Sequence, residues 1–259
     1  MSTSKKVILV TGASSGIGAA IAIKFSEEGD KVVLVGRNER KLHNVSQLCK
    51  EAGGNTLIII ADLTIDADIK RVINTSIEHF GRLDVLINNA GVPGSESILS
   101  DNAMRVFDEI ISINLRAAVY VTHLAAPYLI KTKGNVINIS SIGSTAICFR
   151  INSQYGASKA AIDQFTKCVA LELATYGVRV NSVNPGPTKT DFMKRFGYDE
   201  EKQQQVWNTL LKATLLNKII EPSEVADLVL FLASDKANSI TGSSFVIDSG
   251  FSLKGLIEE

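Results

Sequence analysis

The chain has 259 residues, and its 27 basic and 27 acidic side chains give a formal net charge of zero. This length suits one α/β domain spanning residues 1–259, and the balanced charge argues against a nucleic-acid-binding surface. No apolar run approaches ~20 residues, so the sequence also argues against a membrane span.

Cysteine and histidine usage bears on compartment and metal binding. The cysteines, Cys49, Cys148 and Cys168, are far apart and form no C-x-x-C pair. The first predicted strand starts near Lys6 and leaves no room for a signal peptide, so we expect a cytoplasmic protein with reduced thiols. The histidines are scattered without metal-ligand spacing, and we expect no metal site.

Strand and helix patterns alternate along the chain. The strand predictions are 6–11, 31–36, 56–61, 84–88, 134–140, 178–184 and 244–248. The helix predictions are 16–29, 38–52, 66–80, 103–131, 154–176 and 222–234. This alternation predicts βαβ units and a single-domain, doubly wound parallel sheet with helices on both faces. The irregular segment 187–221 interrupts the pattern, and we expect it to form a substrate lid.

A glycine-rich turn follows the first predicted strand. Gly12, Gly16 and Gly18 lie between the apolar run 7–10 and an apolar helix pattern. Glycine at such a junction permits a tight turn and lets backbone N–H groups approach an anion at the helix N-terminus. Dinucleotide phosphates bind in this way, although the spacing differs from the usual G-x-G-x-x-G. The alternative is a plain glycine-rich turn.

Tyr155 and Lys159 are separated by one helical turn in a predicted helix. Positions i and i+4 share a helix face, and a nearby ammonium favours phenolate. Lowering a phenol pKa by about 3 units requires roughly 4 kcal/mol, so a cationic cofactor ring would have to assist the lysine. The pair indicates a catalytic acid, and the alternative is a solvated helix face.

These two motifs and others in the same order resemble the classical short-chain dehydrogenase/reductase family. The resemblance spans about residue 6 to residue 252, and it implies a Rossmann fold and hydride transfer between a nicotinamide and a carbonyl or alcohol carbon. The family usually has Asp-Gly-Gly where this chain has Asp248-Ser249-Gly250. The remaining motifs are Asn88-Asn89-Ala90-Gly91, Asn114, Ser140-Ser141 and Pro185-Gly186 leading to Thr190.

The resemblance implies a role for each catalytic residue. Tyr155 would donate a proton in reduction and act as the base in oxidation, and Lys159 would lower its pKa and hold the nicotinamide ribose. Ser141 would donate a hydrogen bond to the substrate oxygen, with Ser140 as its competitor. Asn114 would anchor a proton relay through water, unless it is a helix residue that bonds its own backbone.

The same resemblance implies the cofactor contacts. Gly36 stands where an NAD enzyme usually has a carboxylate, and the Arg37 guanidinium suits a 2′-phosphate, so NADP is favoured. Ser15 replaces the second basic residue of many NADP members, which keeps NAD as the alternative. The expected cofactor contacts are Gly12, Ser14, Ser15, Gly16, Ile17, Gly18, Arg37, Asp62, Leu63, Asn89, Ala90, Gly91, Tyr155, Lys159, Pro185, Gly186, Thr188 and Thr190.

The expected substrate pocket is mostly apolar, which favours a hydrophobic ketone, aldehyde or secondary alcohol and an NADPH-dependent carbonyl reductase. A 3-oxoacyl reductase acting on an acyl carrier protein or CoA is a rival, although Thr132 and Tyr176 stand near the places of its docking arginines. A non-catalytic dinucleotide-binding sensor or scaffold is the second rival. The expected pocket residues are Ser141, Ile147, Phe149, Pro187, Phe192 and Trp207.

The predicted helices 103–131 and 154–176 are apolar around most of their circumference. A helix that covers one sheet face needs a single apolar stripe, so the surplus predicts burial against other subunits. Members of the family commonly form tetramers through these helices, and we expect a homotetramer.

Overall fold

The structure contains one parallel sheet, and the carboxyl ends of its strands lie at the same edge. The computed structural model describes residues 5–94, 96–147, 150–191 and 197–253. The strands are β1 Val7–Thr11, β2 Lys31–Gly36, β3 Asn55–Ile60, β4 Val85–Asn88, β5 Asn135–Ile139, β6 Arg179–Pro185 and β7 Ser244–Ile247. The helices are α1 Gly16–Glu27, α2 Glu39–Glu51, α3 Asp66–Phe80, α4 Ala103–Ile111, α5 Ala117–Thr132, α6 Ser153–Leu173, α7 Glu200–Ala213 and α8 Pro222–Ala233.

The sheet has seven strands in the order β3-β2-β1-β4-β5-β6-β7. Every strand pair is parallel. The chain proceeds outward from β1 to β3 and then returns to β4 on the other side of β1. Ligands of doubly wound sheets bind beyond the carboxyl ends of the strands at such a reversal. The predicted single-domain Rossmann fold is confirmed.

Apolar side chains of each central strand pack on both faces of the sheet. In β1, Ile8 and Val10 contact the cluster that includes α1 and α8. The neighbouring Val7 and Leu9 contact the cluster that includes α3, α5 and α6. Burial on two faces requires an almost continuous apolar run, which is why these strands were predictable within one or two residues.

The structure differs from the sequence predictions in two segments. The predicted helix 103–131 is divided into α4 and α5 by a π-helical turn, Ser112–Arg116. The segment 187–221 contains the helix α7, which the predictions lacked. The α7 sequence is largely polar, and Leu210 is its buried residue. No helix in the described part of the chain is long and apolar enough to cross a membrane.

Candidate active site

One cleft of about 1410 Å³ lies along the carboxyl edge of the sheet. Most of the site residues predicted from the sequence line this cleft, although they come from distant parts of the chain. These residues are Gly12, Ser14, Ser15, Gly16, Ile17, Arg37, Asp62, Leu63, Asn89, Ala90, Gly91, Ser141, Tyr155, Lys159, Pro185, Gly186, Pro187, Thr188, Thr190 and Trp207.

A few predicted site residues do not line the cleft. Ile147 is 98% exposed and does not line the cleft, so its assignment to the substrate pocket disagrees with the structure. Gly18 lies behind the turn, where a Cβ atom would contact Asn89 Nδ2 and the Gly12 carbonyl oxygen. Phe149 and Phe192 lie outside the described residues.

The glycine-rich turn forms a close-fitting cradle at the start of α1. Gly12 and Gly16 have φ angles of +66° and +57°, and a Cβ atom at Gly12 would lie 2.9 Å from Ala90 Cα. The N-cap residue Ser15 makes no side-chain hydrogen bond to the first turn of α1. The backbone N–H groups of that turn therefore suit an anion, which fits the pyrophosphate of a nicotinamide dinucleotide.

Thr11 and Asn89 hold the turn against the end of β4. Thr11 Oγ1 accepts hydrogen bonds from the backbone N–H groups of Asn89 at 2.9 Å and Ala90 at 3.0 Å. Asn89 Nδ2 donates to the carbonyl oxygens of Thr11 at 2.9 Å and Gly12 at 3.2 Å. Asn89 therefore lines the cleft, and its side-chain amide also holds the glycine-rich turn in place.

Lys159 is buried beside Tyr155 on α6. Lys159 is 5% exposed. Its Nζ donates a 2.8 Å hydrogen bond to the Ile139 carbonyl oxygen and lies 5.7 Å from the centre of the Tyr155 ring. Burial lowers the pKa of Lys159 to about 8, against the opposing influence of the Asp163 charge. A Cβ atom at Gly91 would lie 3.5 Å from Lys159 Nζ, so the Gly91 backbone passes close to this ammonium group.

Ser141 lies on the same side of the cleft as Tyr155. Its Oγ accepts a 3.1 Å hydrogen bond from the Gly143 N–H. A Cβ atom at Gly143 would lie 3.4 Å from Ser141 Oγ and 3.5 Å from Tyr155 Cε1, so the two side chains face a common point. The hydroxyl of Ser140 instead donates to the Lys159 carbonyl oxygen at 3.2 Å. This arrangement favours Ser141 over Ser140 as the substrate-binding serine.

Asn114 occupies the centre of the π-helical turn and is buried. Its Oδ1 accepts from the Val92 N–H at 2.8 Å, and its Nδ2 donates to the Val92 carbonyl oxygen at 3.0 Å and to Ser158 Oγ at 3.1 Å. These bonds join the loop after β4 to α6, so the side chain does not bond the backbone of its own helix. π-helical turns are frequent at functional sites.

Comparisons with known proteins agree with this geometry. Residues 12–252 match the family model described as enoyl-(acyl carrier protein) reductase. The chain belongs to the short-chain dehydrogenase/reductase family. As a member, it is an NAD(P)-dependent oxidoreductase that acts on CH–OH groups.

Individual relatives of this dehydrogenase/reductase cover almost all of the chain. (+)-Borneol dehydrogenase 2 from Salvia officinalis is 34% identical over 255 residues, which cover 95% of this chain and 89% of that protein. Glucose 1-dehydrogenase 2 from Bacillus subtilis (strain 168) is 32% identical over 251 residues, covering 96% and 95% of the two chains. The crystal structure of a short-chain dehydrogenase/reductase of unknown function from Caenorhabditis elegans, with cofactor, has a TM-score of 0.89 at 32% identity, covering 96% and 95%.

The dehydrogenase/reductase cleft also contains residues that the sequence predictions missed. Lys41 lies in the first turn of α2 and pairs with Asp191 at 3.0 Å. Arg37 pairs with Asp62 at 3.6 Å, and the backbone N–H of Thr64 is the main cause of the lowered pKa of Asp62. Lys41 follows Arg37 by four residues, and a second basic residue so close in the sequence is the signal that could have identified it. Further lining residues are Ile151, Asn152, Tyr198, Lys202, Gln205, Val206 and Leu210.

Proposed function

We propose that the chain is an NADPH-dependent carbonyl reductase that interconverts a hydrophobic ketone or aldehyde with its alcohol. The observation that carries this proposal is the grouping of Ser141, Tyr155 and Lys159 along one wall of the cleft. When bound, the nicotinamide supplies the hydride for the carbonyl carbon or accepts it from the alcohol carbon.

The side chains of this wall provide the proton and hold the substrate oxygen. The Tyr155 hydroxyl gives its proton to the oxygen in reduction and takes it back in oxidation. The Lys159 ammonium stabilises the phenolate that remains, and Ser141 Oγ donates a hydrogen bond to the same oxygen. The Asn114 bonds to Val92 and Ser158 keep the loop after β4 and α6 in register, which supports a positioning role for Asn114.

The preference for NADP is supported by two cations at the adenosine end of the cleft. Arg37 and Lys41 both line it, and each pairs with a carboxylate that can yield to a stronger anion. Gly36 leaves no carboxylate at the end of β2 to accept from a ribose 2′-hydroxyl. A 2′-phosphate at this corner would bind the two cations in competition with Asp62 and Asp191.

The substrate class is supported by apolar side chains that line the cleft. Ile151, Pro187, Val206, Trp207 and Leu210 line the cleft with mostly apolar surface. An apolar pocket with few polar groups binds apolar ligands, oriented by those polar groups. The names of the relatives include borneol and glucose, an apolar alcohol and a polyol, and this lining favours the first kind.

Oligomer formation is supported by exposed apolar side chains on α5 and α6. Val119 and Leu171 are exposed although both helices already pack on the sheet. Burial of this surface between subunits would explain it, and we propose the homotetramer on this ground.

The experiment is NADPH oxidation followed at the reduced-nicotinamide absorbance band. Matched pairs of carbonyls that differ in polarity, such as a bicyclic ketone and an aldose, are compared at equal concentration. The proposal predicts kcat/KM at least about tenfold higher for the apolar member of each pair, since one or two methylene groups are worth about that much in an apolar pocket. Higher values for the polar members would contradict the proposed substrate class.

A further inference from the structure

A buried carboxylate lies behind the proposed catalytic residues and has no part in the chemistry derived above. Asp163 is on α6, one turn after Lys159, and is 7% exposed. Positions i and i+4 of a helix lie on the same face. Ser182 Oγ donates to Asp163 Oδ1 at 3.1 Å, and Asn184 Nδ2 donates to Oδ2 at 2.7 Å. Both donors lie on β6 and are neutral.

Asn184 extends this contact to the segment that carries Ser141. Its Nδ2 also lies 3.2 Å from the Ser141 carbonyl oxygen and 3.0 Å from Ser144 Oγ, as a donor to both. A single amide group therefore joins the carboxylate on α6 to the backbone of the substrate-binding serine. Ser182 continues the network to Ser244 on β7 through a 2.8 Å bond between hydroxyl groups.

The charge of Asp163 acts on Lys159. Among the described residues, the titratable groups that act on Lys159 are Tyr155 and Asp163, both on α6. The hydrogen-bond partner of the ammonium group on β5 is the neutral Ile139 carbonyl. Burial of an ammonium disfavours its charged form, and a nearby carboxylate opposes this effect. Asp163 is the opposing charge that acts on Lys159.

We propose that Asp163 is a positioning residue that holds the Ser141 segment through Asn184 and keeps Lys159 as an ammonium group. The proposal rests on the proposed function for the roles of Ser141 and Lys159. Asp163 would connect α6, which carries Tyr155 and Lys159, to the Ser141 backbone through buried hydrogen bonds.

The first test measures the titration of Lys159 directly, without turnover. The side-chain signals of ¹³C-lysine-labelled protein are followed by NMR against pH, and Lys159→Arg assigns the Lys159 signal. In Asp163→Asn, which keeps the shape but removes the charge and replaces one acceptor oxygen with an NH2 group, we expect Lys159 to titrate at least about 1 unit lower than in the wild type. Asp163→Glu should restore most of the shift. An unchanged Lys159 titration in Asp163→Asn would overturn the charge role.

Ser182→Ala is the matched control, because it removes one hydrogen bond to Asp163 and leaves the charge in place. A purely structural role would give similar Lys159 titrations in Ser182→Ala and Asp163→Asn. Our proposal predicts that Ser182→Ala titrates like the wild type. Because no substrate is needed, this test can fail while the carbonyl reductase proposal stands, and the reverse also holds.

The second test concerns the link through Asn184 and does not depend on the folding of the Asp163 variant. Asn184→Ala and Ser141→Ala are combined in a double-mutant cycle of kcat/KM. The link predicts that Ser141→Ala costs at least about fivefold less in the Asn184→Ala background, because the serine is already misplaced. Additive losses in the cycle would overturn the positioning role.

Discussion

The ammonium nitrogen of Lys159 lies 5.7 Å from the centre of the Tyr155 ring, with both side chains on α6. The position of Lys159 is fixed by its hydrogen bond to the Ile139 carbonyl oxygen at the end of β5. The cation therefore stays beside the phenol without relying on a mobile partner.

Tyr155→Phe should lower kcat by about 10²–10⁴-fold, the usual contribution of a general acid or base. The ring keeps its packing and only the proton-carrying oxygen is lost, so the Kd for the nicotinamide cofactor should stay within about twofold. Steady-state kinetics and a cofactor titration measure the two quantities. A variant with more than a tenth of the wild-type rate on a chemistry-limited substrate would exclude Tyr155 as the proton donor.

Arg37→Glu should shift the cofactor preference from NADPH toward NADH. The new carboxylate would repel a 2′-phosphate and could accept a hydrogen bond from a 2′-hydroxyl. The ratio of kcat/KM values for the two cofactors is the readout. Arg40→Glu is the matched control, since Arg40 is exposed near the same helix N-terminus and does not line the cleft. Equal changes in both variants would speak against a specific contact of Arg37.

Lys159 should make the fold less stable at neutral pH than at alkaline pH. Its pKa falls from 10.5 in the unfolded chain to about 8 in the folded protein, so the unfolded state binds more protons between these values. The contribution of Lys159 to the free energy of unfolding therefore rises as the pH increases from about 8 to 10.5. Lys159→Met should raise the free energy of unfolding by up to about 3 kcal/mol at pH 7 and by less at pH 10.

Urea denaturation of both proteins at the two pH values measures this difference. A Lys159→Met advantage that does not shrink as the pH rises would show that the ammonium is not the cause.

Trp207 should report closure of α7 over the cleft. It is the single tryptophan of the chain, and it lines the cleft from α7 together with Val206 and Leu210. Its fluorescence should change when NADPH and a substrate or inhibitor are added together, because the indole would lose contact with water. The same spectrum in all ligand states would argue against α7 as a lid.

The oligomer should depend on the exposed apolar surface of α6. Light scattering at micromolar concentration should give a mass well above the 27.9 kDa of one chain. Leu171→Arg should lower this mass, because a charge would replace an exposed leucine in the subunit contact. A wild-type mass near that of one chain would exclude the tetramer.

Local signals in the sequence predicted most of the fold and the core of the site. The central strands are buried on both faces and form apolar runs in the sequence. The turn at Gly12 and the Tyr155–Lys159 pair are each defined by a few consecutive residues. The start of α7 also has a local signal in the sequence. Asp199 caps this helix by accepting from the Lys202 N–H at 2.8 Å, and Glu200 and Glu201 follow in the first turn.

Contacts between distant segments could not be predicted in the same way. The bonds of Asn114 to Val92 and Ser158 form only when the π-helical turn, the loop after β4 and α6 meet. The Asp163–Asn184 contact likewise needs α6 and β6 in register. Ile147 is apolar and close in sequence to Ser141, which suggested a pocket residue, and its exposure to solvent depends on the tertiary structure.

The stoichiometry of NADPH oxidation with a hydrophobic ketone tests directly whether the protein is a carbonyl reductase. Wild-type protein should remove the reduced-nicotinamide absorbance and form one alcohol for each NADPH consumed. Cofactor binding should be measured in parallel by its fluorescence. Bound NADPH without loss of absorbance, with hydrophobic ketones and with the matched pairs of carbonyls, would contradict the carbonyl reductase function and favour a non-catalytic dinucleotide sensor.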